Sequence, residues 1–439
     1  MHNIATVPDF YPIIVDLNCV PSMLGLLCHD NSDISVSVID LIQELTDVDT
    51  LNESEEGAES LIQALIDNQI FSLMIAAIER LDESVKEEAD GVHNALAIIE
   101  NIVEFRPTVC KEVAEAGFMT WLIKKLKVKV PFDANKLYAS EILSILLQNE
   151  PENRKMIGEL GAIDSMLQQL AYYKRHDPNQ QEESEYMENL FNSMCSLLLE
   201  RENRDRFLQG EGLQLMNLML REKKKSRTGA LRVLDHAISG VDGANNSAKF
   251  VDILGLRTIF PLFMKTPKKS KRGGVTADEH EEHVVSIIAS LFKNCTVGNN
   301  AGKQRERLLA KFTENDHEKV DRLLELHIKY YRKVEEADQR LEREMRRSKE
   351  KLDDDEVYVR RLQDGLFVLQ YVDYIILEIC CCGASTVKQR VLQILNLRGG
   401  TLKTVRDTVR EYAGNLGDEE DDHEKKLEQE YLLNLVDKF

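Results

Sequence analysis

A short apolar signature recurs six times along the first two thirds of the chain, and it constrains the fold more than any other feature. Each copy is a turn followed by hydrophobic residues at i, i+3, i+4 and about i+7. The copies run Val20-Met23-Leu24-Leu27, Ile70-Leu73-Met74, Phe118-Trp121-Leu122, Ile163-Met166-Leu167-Leu170, Leu213-Met216-Leu220 and Leu256-Ile259-Phe260-Phe263. Their starts at 20, 70, 118, 163, 213 and 256 are separated by 50, 48, 45, 50 and 43 residues. A loop and a longer amphipathic stretch follow each copy, as in "HDNSDISVSVIDLIQELTDVD", where His29, Asp30 and Asn31 make the turn and Asp33 is placed to cap the helix. One helix pair cannot bury its own apolar face, so neighbouring units must stack and share a continuous core.

This spacing belongs to the armadillo and HEAT class of roughly 40–47 residues, with several loops slightly long. The predicted fold is all-α, an armadillo/HEAT-type helical repeat superhelix (an α-solenoid) with a divergent C-terminal helical cap. Pro (9) and Gly (22), which interrupt helices, are scarce, and sustained period-2 runs are missing. The reading divides the chain into repeats over 1–299 and divergent helices over 300–439, where the signature fades. In the second part, "DDDE" at 353–356 reads as a polar breaker ahead of "VYVRRLQDGLFVLQYVDYIILEICCC", a single largely apolar buried helix. The stretch "DEEDD" at 418–422 reads as a solvated break before a last short helix.

The formal net charge is −20, and residues 30–120 alone hold 21 Asp/Glu against 4 Lys/Arg. Such a surface should repel nucleic acid and anionic membrane and attract basic peptides. No apolar window of about 18 residues is expected, so no membrane span is predicted. The opening "MHNIATVPDFYPIIVDL" enters the apolar pattern at once and reads as the interior of a longer architecture. The eight cysteines include no C-x-x-C pair, and Cys380, Cys381 and Cys382 on an apolar helix read as core thiols. His280 and His283 in "DEHEEH" lack both the H-E-x-x-H spacing and a third ligand, so no metal is expected. Neither phosphate-binding glycine loops nor a G-x-S-x-G nucleophile elbow occurs. The chain therefore reads as a binding protein without cofactors, not an enzyme.

Long strings carry a closer likeness. They include "DLIQELTDVDTLNESEEGAESLIQALIDNQ" (40–69), "ERLDESVKEEADGVHNALAIIENIVEFRP" (79–107), "PFDANKLYASEILSILLQ" (131–148), "GEGLQLMNLMLREKK" (210–224), "KFVDILGLRTIFPLFMK" (249–265) and "KFTENDHEKVDRLLELH" (311–327). In these the chain resembles the beta-catenin-like family of nuclear, spliceosome-associated armadillo-repeat proteins. The resemblance implies a nuclear scaffold of the pre-mRNA splicing machinery. Its implied partners are splicing factors with basic, nuclear-localisation-signal-like segments, the cell-division-cycle-5-like factor and its complex among them, and in vertebrate relatives a cytidine deaminase. The family's charged N-terminal extension with its basic import signal is expected to be missing here. Homo-oligomerisation is left open, and an importin-type adaptor for basic cargo is the alternative.

Armadillo proteins that carry import signals line their groove with Trp and Asn four residues apart on the third helix of each repeat. Aligned to that pattern, this chain places Asp40 and Glu44, Ala97 and Asn101, and Glu141 and Ile145 at those positions. The ladder is not preserved, and the single Trp121 lies in another helix, where it reads as core. Carboxylates therefore replace aromatic stacking in the expected contacts, which are Asp40, Glu44, Asp47, His93, Glu100, Asn101, Glu104 and Glu141. Two basic stretches stand apart: residues 221–227, and Lys268, Lys269, Lys271 and Arg272 in a Pro/Gly-bounded loop, a substitute import signal or phosphate patch. The sequence shows no aromatic-plus-basic platform of the kind that binds RNA, so protein partners and no direct nucleic-acid binding are expected.

Overall fold

The computed structural model describes residues 5–127, 132–267, 276–295, 301–347, 353–416 and 423–439. Among the described residues there is no strand. Helices of six or more residues are α1 Tyr11–Asp16, α2 Cys19–Gly25, α3 Ser32–Leu45, α4 Glu55–Asp67, α5 Ile70–Ile78, α6 Lys86–Phe105, α7 Met119–Lys127, α8 Ala134–Gln148, α9 Pro151–Glu159, α10 Ala162–Leu170, α11 Gln181–Leu197 and α12 Arg201–Gln209. They continue as α13 Gly212–Arg221, α14 Ser226–Ile238, α15 Ala244–Asp252, α16 Leu256–Met264, α17 Ala277–Asn294, α18 Ala301–Ala310, α19 Glu318–Arg347, α20 Asp354–Arg361, α21 Phe367–Cys382, α22 Ser385–Arg398, α23 Leu402–Gly414 and α24 His423–Lys438.

The fold is all-α and armadillo-type: a short first helix, a second helix, and a longer third helix per repeat. The apolar signatures fall on the second helices α2, α5, α7, α10, α13 and α16. A left-handed residue precedes each of them: Asn18, Gln69, Gly117, Gly161, Glu211 and Leu254 all have positive φ. That conformation turns the chain sharply between first and second helix. A side chain normally pays about 1–2 kcal/mol to adopt it, so its recurrence at non-glycine positions shows how strictly the corner is imposed. The device reappears at Asn315, Asp316 and His317 ahead of α19 and at Gly365 ahead of α21. The repeat's corner thus outlasts its hydrophobic signature.

Contacts group the chain into two compact units, 1–215 with 224–229 and 216–223 with 230–439. Within the second unit the third helix α17 packs on α21, and α19 joins both α16 and α21. In the first unit the third helices α3, α6, α8 and α11 stack in succession. Buried polar residues tie successive first helices together. Asn153 donates to the carbonyls of Cys110 and Leu146, and Asn203, in the same place one repeat later, to those of Arg154 and Leu197. Arg154 and Arg204 cap the preceding third helices through the carbonyls of Leu147, Gln148 and Leu198. The arginine bonds satisfy carbonyls at the ends of α8 and α11 that have no partner within the helix.

In the second unit α21 is the central helix, packed by α17, α19, α22, α23 and α24. Two of its acids are fully buried and paired: Asp373 with His327 at 2.5 Å, and Glu378 with Arg305, Tyr374 and Tyr431.

Several local expectations are corrected. Asn31, not Asp33, caps α3, accepting from the Asp33 amide at 2.9 Å. The acidic "breaker" at 353–356 starts a helix, since Asp353 accepts from the Glu356 amide at 2.6 Å and acids suit a helix N-terminus. The apolar helix after it is broken at Gly365 (φ 117) into α20 and α21. Contrary to the composition reading, Asp354–Cys382 is long and apolar enough to cross a membrane by length and composition. Its apolar window is 78% buried within the protein, which accounts for that hydrophobicity as core. Cys380 is buried, but Cys382 at the helix end is exposed. The expected break at 418–422 lies outside the described residues.

Candidate protein-binding face

The third helices α3, α6, α8 and α11 present a polar face built from cross-helix pairs. Between α3 and α6, Asn94 Nδ2 donates to Asp40 Oδ1 at 2.8 Å. Between α6 and α8, the Tyr138 hydroxyl donates to Glu100 at 2.5 Å, and the His93 ring lies 4.8 Å from the Tyr138 ring and 3.3 Å, through Nδ1, from Asn135 Oδ1. Between α8 and α11, Asn189 Nδ2 donates to Ser140 Oγ at 3.1 Å. Asp133 caps α8 through the Lys136 amide at 2.7 Å and so sets the height of Tyr138 and Glu141 on that helix.

Glu141 is the electrostatic centre of this face. Burial pushes its carboxyl above the ordinary carboxylate range, and the nearby Glu100 and Glu185 push it further, with only an Asn189 hydrogen bond opposing them. The Tyr138 hydroxyl is likewise raised, by burial first and then by its bond to Glu100. Three helices therefore converge carboxylates on one place, and no cation figures among the groups acting on Glu141. An approaching ammonium or guanidinium would gain from all three.

The expected contact residues separate into groups. Asp40, His93, Glu100 and Glu141 enter the network just described. Glu44 and Glu104 lie exposed one turn beyond Asp40 and Glu100, and Asn101 is half-buried beside Glu100. Asp47 lies past the end of α3 and caps the short helix Val48–Leu51 through the Thr50 amide at 3.3 Å. Its charge also contributes, after burial, to pushing the Tyr11 hydroxyl up to about 12. The alignment register also shifts: Asp40 sits opposite Asn94 rather than Ala97, one turn away, because neighbouring third helices are staggered. Asn94, Tyr138, Glu185 and Asn189 also belong to this network, outside the positions that the armadillo alignment reaches. Periodicity gives the outward face of one helix but not which residue of the next helix it meets.

Trp121 is buried in α7. His280 and His283 diverge, His280 to the Leu262 carbonyl at 3.2 Å and His283 to Asp235 at 2.9 Å. Lys268, Lys269, Lys271 and Arg272 lie outside the described residues.

Residues 1–410 match the family model described as catenin-beta-like, Arm-motif containing nuclear. Human Beta-catenin-like protein 1 is 59% identical over 445 residues, covering 100% of this chain and 78% of the human one. The Beta-catenin-like protein 1 homolog of Schizosaccharomyces pombe is 31% identical over 411 residues, covering 93% of this chain and 70% of the yeast one. Among solved structures, an engineered protein of a structural genomics consortium superposes with a TM-score of 0.53 at 14% identity, over 99% of this chain and 93% of that one. That likeness is one of fold alone.

Proposed function

Because the chain belongs to the catenin-beta-like family of armadillo-motif nuclear proteins, we propose that it is a nuclear, non-enzymatic scaffold of the splicing machinery. In this reading it holds basic segments of splicing factors, such as the cell-division-cycle-5-like factor, on the acidic face of its stacked third helices. The convergence of Glu100, Glu141 and Glu185 carries the reading. The Glu141 carboxyl is raised first by burial and then by Glu100 and Glu185, and a Lys- or Arg-rich segment docking beside it offsets the repulsion among the three acids. The excess of acid over residues 30–120 draws such segments in from a distance.

The test is a fluorescence titration of a labelled Lys/Arg-rich peptide against the full chain and a variant carrying Glu100→Lys, Glu141→Lys and Glu185→Lys. An exposed ion pair contributes about 0–1 kcal/mol, so loss of three pairs with added repulsion should weaken binding roughly 10- to 100-fold. Raised salt should weaken the wild type in the same sense. Equal affinities for the two proteins would refute the acidic face as the site. Recovery of an import carrier rather than splicing proteins from nuclear extract would favour the adaptor reading.

A further inference from the structure

The net charge of the chain is an average over a segregated surface. The connections between second and third helices carry the opposite sign to the third-helix face in part of the first unit. Lys124, Lys125 and Lys127 end α7; Lys174, Arg175 and His176 follow α10; and Lys224 and Lys225 precede α14. The helices that lead into the first two of these loops are neighbours, α7 packing on α10. The loop after α10 is bound to the one before α14 by three hydrogen bonds: Ser226 Oγ to the Tyr173 carbonyl at 2.8 Å, the Lys225 amide to Asp177 Oδ1 at 2.8 Å, and Lys224 Nζ to Asp177 Oδ2 at 3.4 Å.

Some of these cations are already engaged. Lys124 pairs with Glu79 at 3.2 Å and Lys125 with Glu83 at 2.5 Å, while Lys224 shares Asp177. Lys127, Arg175 and Lys225 are exposed. The loop after α10 that carries Arg175 also carries an aromatic platform. Tyr172 is 50% exposed, and its ring stacks on that of His176, with centroids 4.7 Å apart and planes within 19°. The ring is also braced edge-on by the buried Tyr173, 5.3 Å away at 81°.

We infer that the connected loops carrying Lys127, Tyr172, Arg175, His176 and Lys225 form a binding ledge for single-stranded RNA, separate from the acidic third-helix face. The cations neutralise phosphates along the strand, and the Tyr172–His176 platform receives a base on its open side. An acidic peptide would match the cations equally well but has no use for a flat, exposed, pre-stacked ring pair. RNA is therefore the occupant the geometry favours. Lys225 lies some 50 positions from Tyr172, Arg175 and His176 in sequence, and the Asp177 and Tyr173 bonds join its loop to theirs.

The probe is a fluorescein-labelled oligouridine of about 15 nucleotides, titrated by anisotropy against the full chain at several salt concentrations. Three phosphate contacts predict a log–log salt slope of roughly −2. The double variant Arg175→Glu, Lys225→Glu should lose about tenfold or more in affinity and flatten that slope. Tyr172→Ala should also lose about tenfold, with the slope unchanged, because stacking releases no counterions. All these positions are exposed, and matching circular dichroism melts would exclude misfolding as the cause. The inference fails if the wild type shows no salt-dependent binding, if the charge-reversed variant binds as well, or if polyglutamate displaces the RNA while Tyr172→Ala has no effect. The last outcome would assign the ledge to acidic proteins.

Discussion

Replacing Asn203 by alanine tests how the repeats are joined. Its side chain is fully buried and makes three hydrogen bonds: Nδ2 to the Arg154 carbonyl at 2.9 Å and to the Leu197 carbonyl at 3.1 Å, and Oδ1 from Arg206 at 2.8 Å. The amide therefore binds α12 at once to α9 of the preceding repeat and to the end of α11. Gly158 leaves it room, since a Cβ there would lie 1.9 Å from Asn203 Oδ1. The Leu197 carbonyl keeps the Glu200 amide at 3.2 Å, so truncation does not orphan it. The cost is then the bonds themselves, about 1 kcal/mol each and roughly 3 kcal/mol together. In a unit of some 220 residues this lowers the melting temperature by roughly 6–12 °C. Hydrogen exchange should accelerate in α9, α11 and α12 before other helices of the first unit. Asn203→Asp keeps the volume but turns acceptor oxygens toward two carbonyls, so it should cost more than Asn203→Ala. If the aspartate variant is the milder of the two, shape rather than hydrogen bonding joins the repeats. A melting shift under about 2 °C for alanine would refute the account altogether.

Glu141→Gln should stabilise the protein at neutral pH. A carboxyl whose folded pKa is raised opposes folding above its unfolded value, near 4.5, and ceases to do so below it, so the gain should vanish in melts below about pH 4. Lys293→Met should loosen α24. Lys293 Nζ lies 4.7, 5.5 and 5.0 Å from the Tyr371, Tyr374 and Tyr412 ring centres and 2.6 Å from Glu428, so roughly 2 kcal/mol of local protection is at stake, read as faster exchange over 423–438; unchanged exchange would refute the lock. Gly365→Ala should cost more than Gly117→Ala. Both glycines have φ near 115°, which strains any side chain by about 1–3 kcal/mol, but at 365 a Cβ also meets Tyr330 at 3.0 Å, whereas at 117 it meets only Ile75 at 3.6 Å. Equal melting shifts for the two variants would show that crowding contributes nothing.

Apolar periodicity determined much of this protein. Val20, Ile70, Phe118, Ile163, Leu213 and Leu256 mark the second helices because a hydrophobic stripe at helical spacing has to be buried, and that requirement is local. Polar residues carry no such local mark. Asn153-Arg154 and Asn203-Arg204 each follow a glutamate in the same three-residue pattern, a signal that was present, yet in a linear reading they pass for solvated helix surface. Their roles depend on carbonyls of other helices, and in the case of Asn203 one lies 49 positions away. The same holds for both proposed surfaces. That the region is acidic can be counted from its letters, but whether Asp40 meets Asn94 or Ala97 depends on helix stagger, which packing sets. That Tyr172 and Lys225 share a ledge depends on Asp177 and Tyr173 joining two loops. Hydrophobic burial is additive along a helix and can be read from one chain segment; hydrogen bonds and charge pairs are directional and short-ranged, so only the tertiary arrangement decides which of them exist.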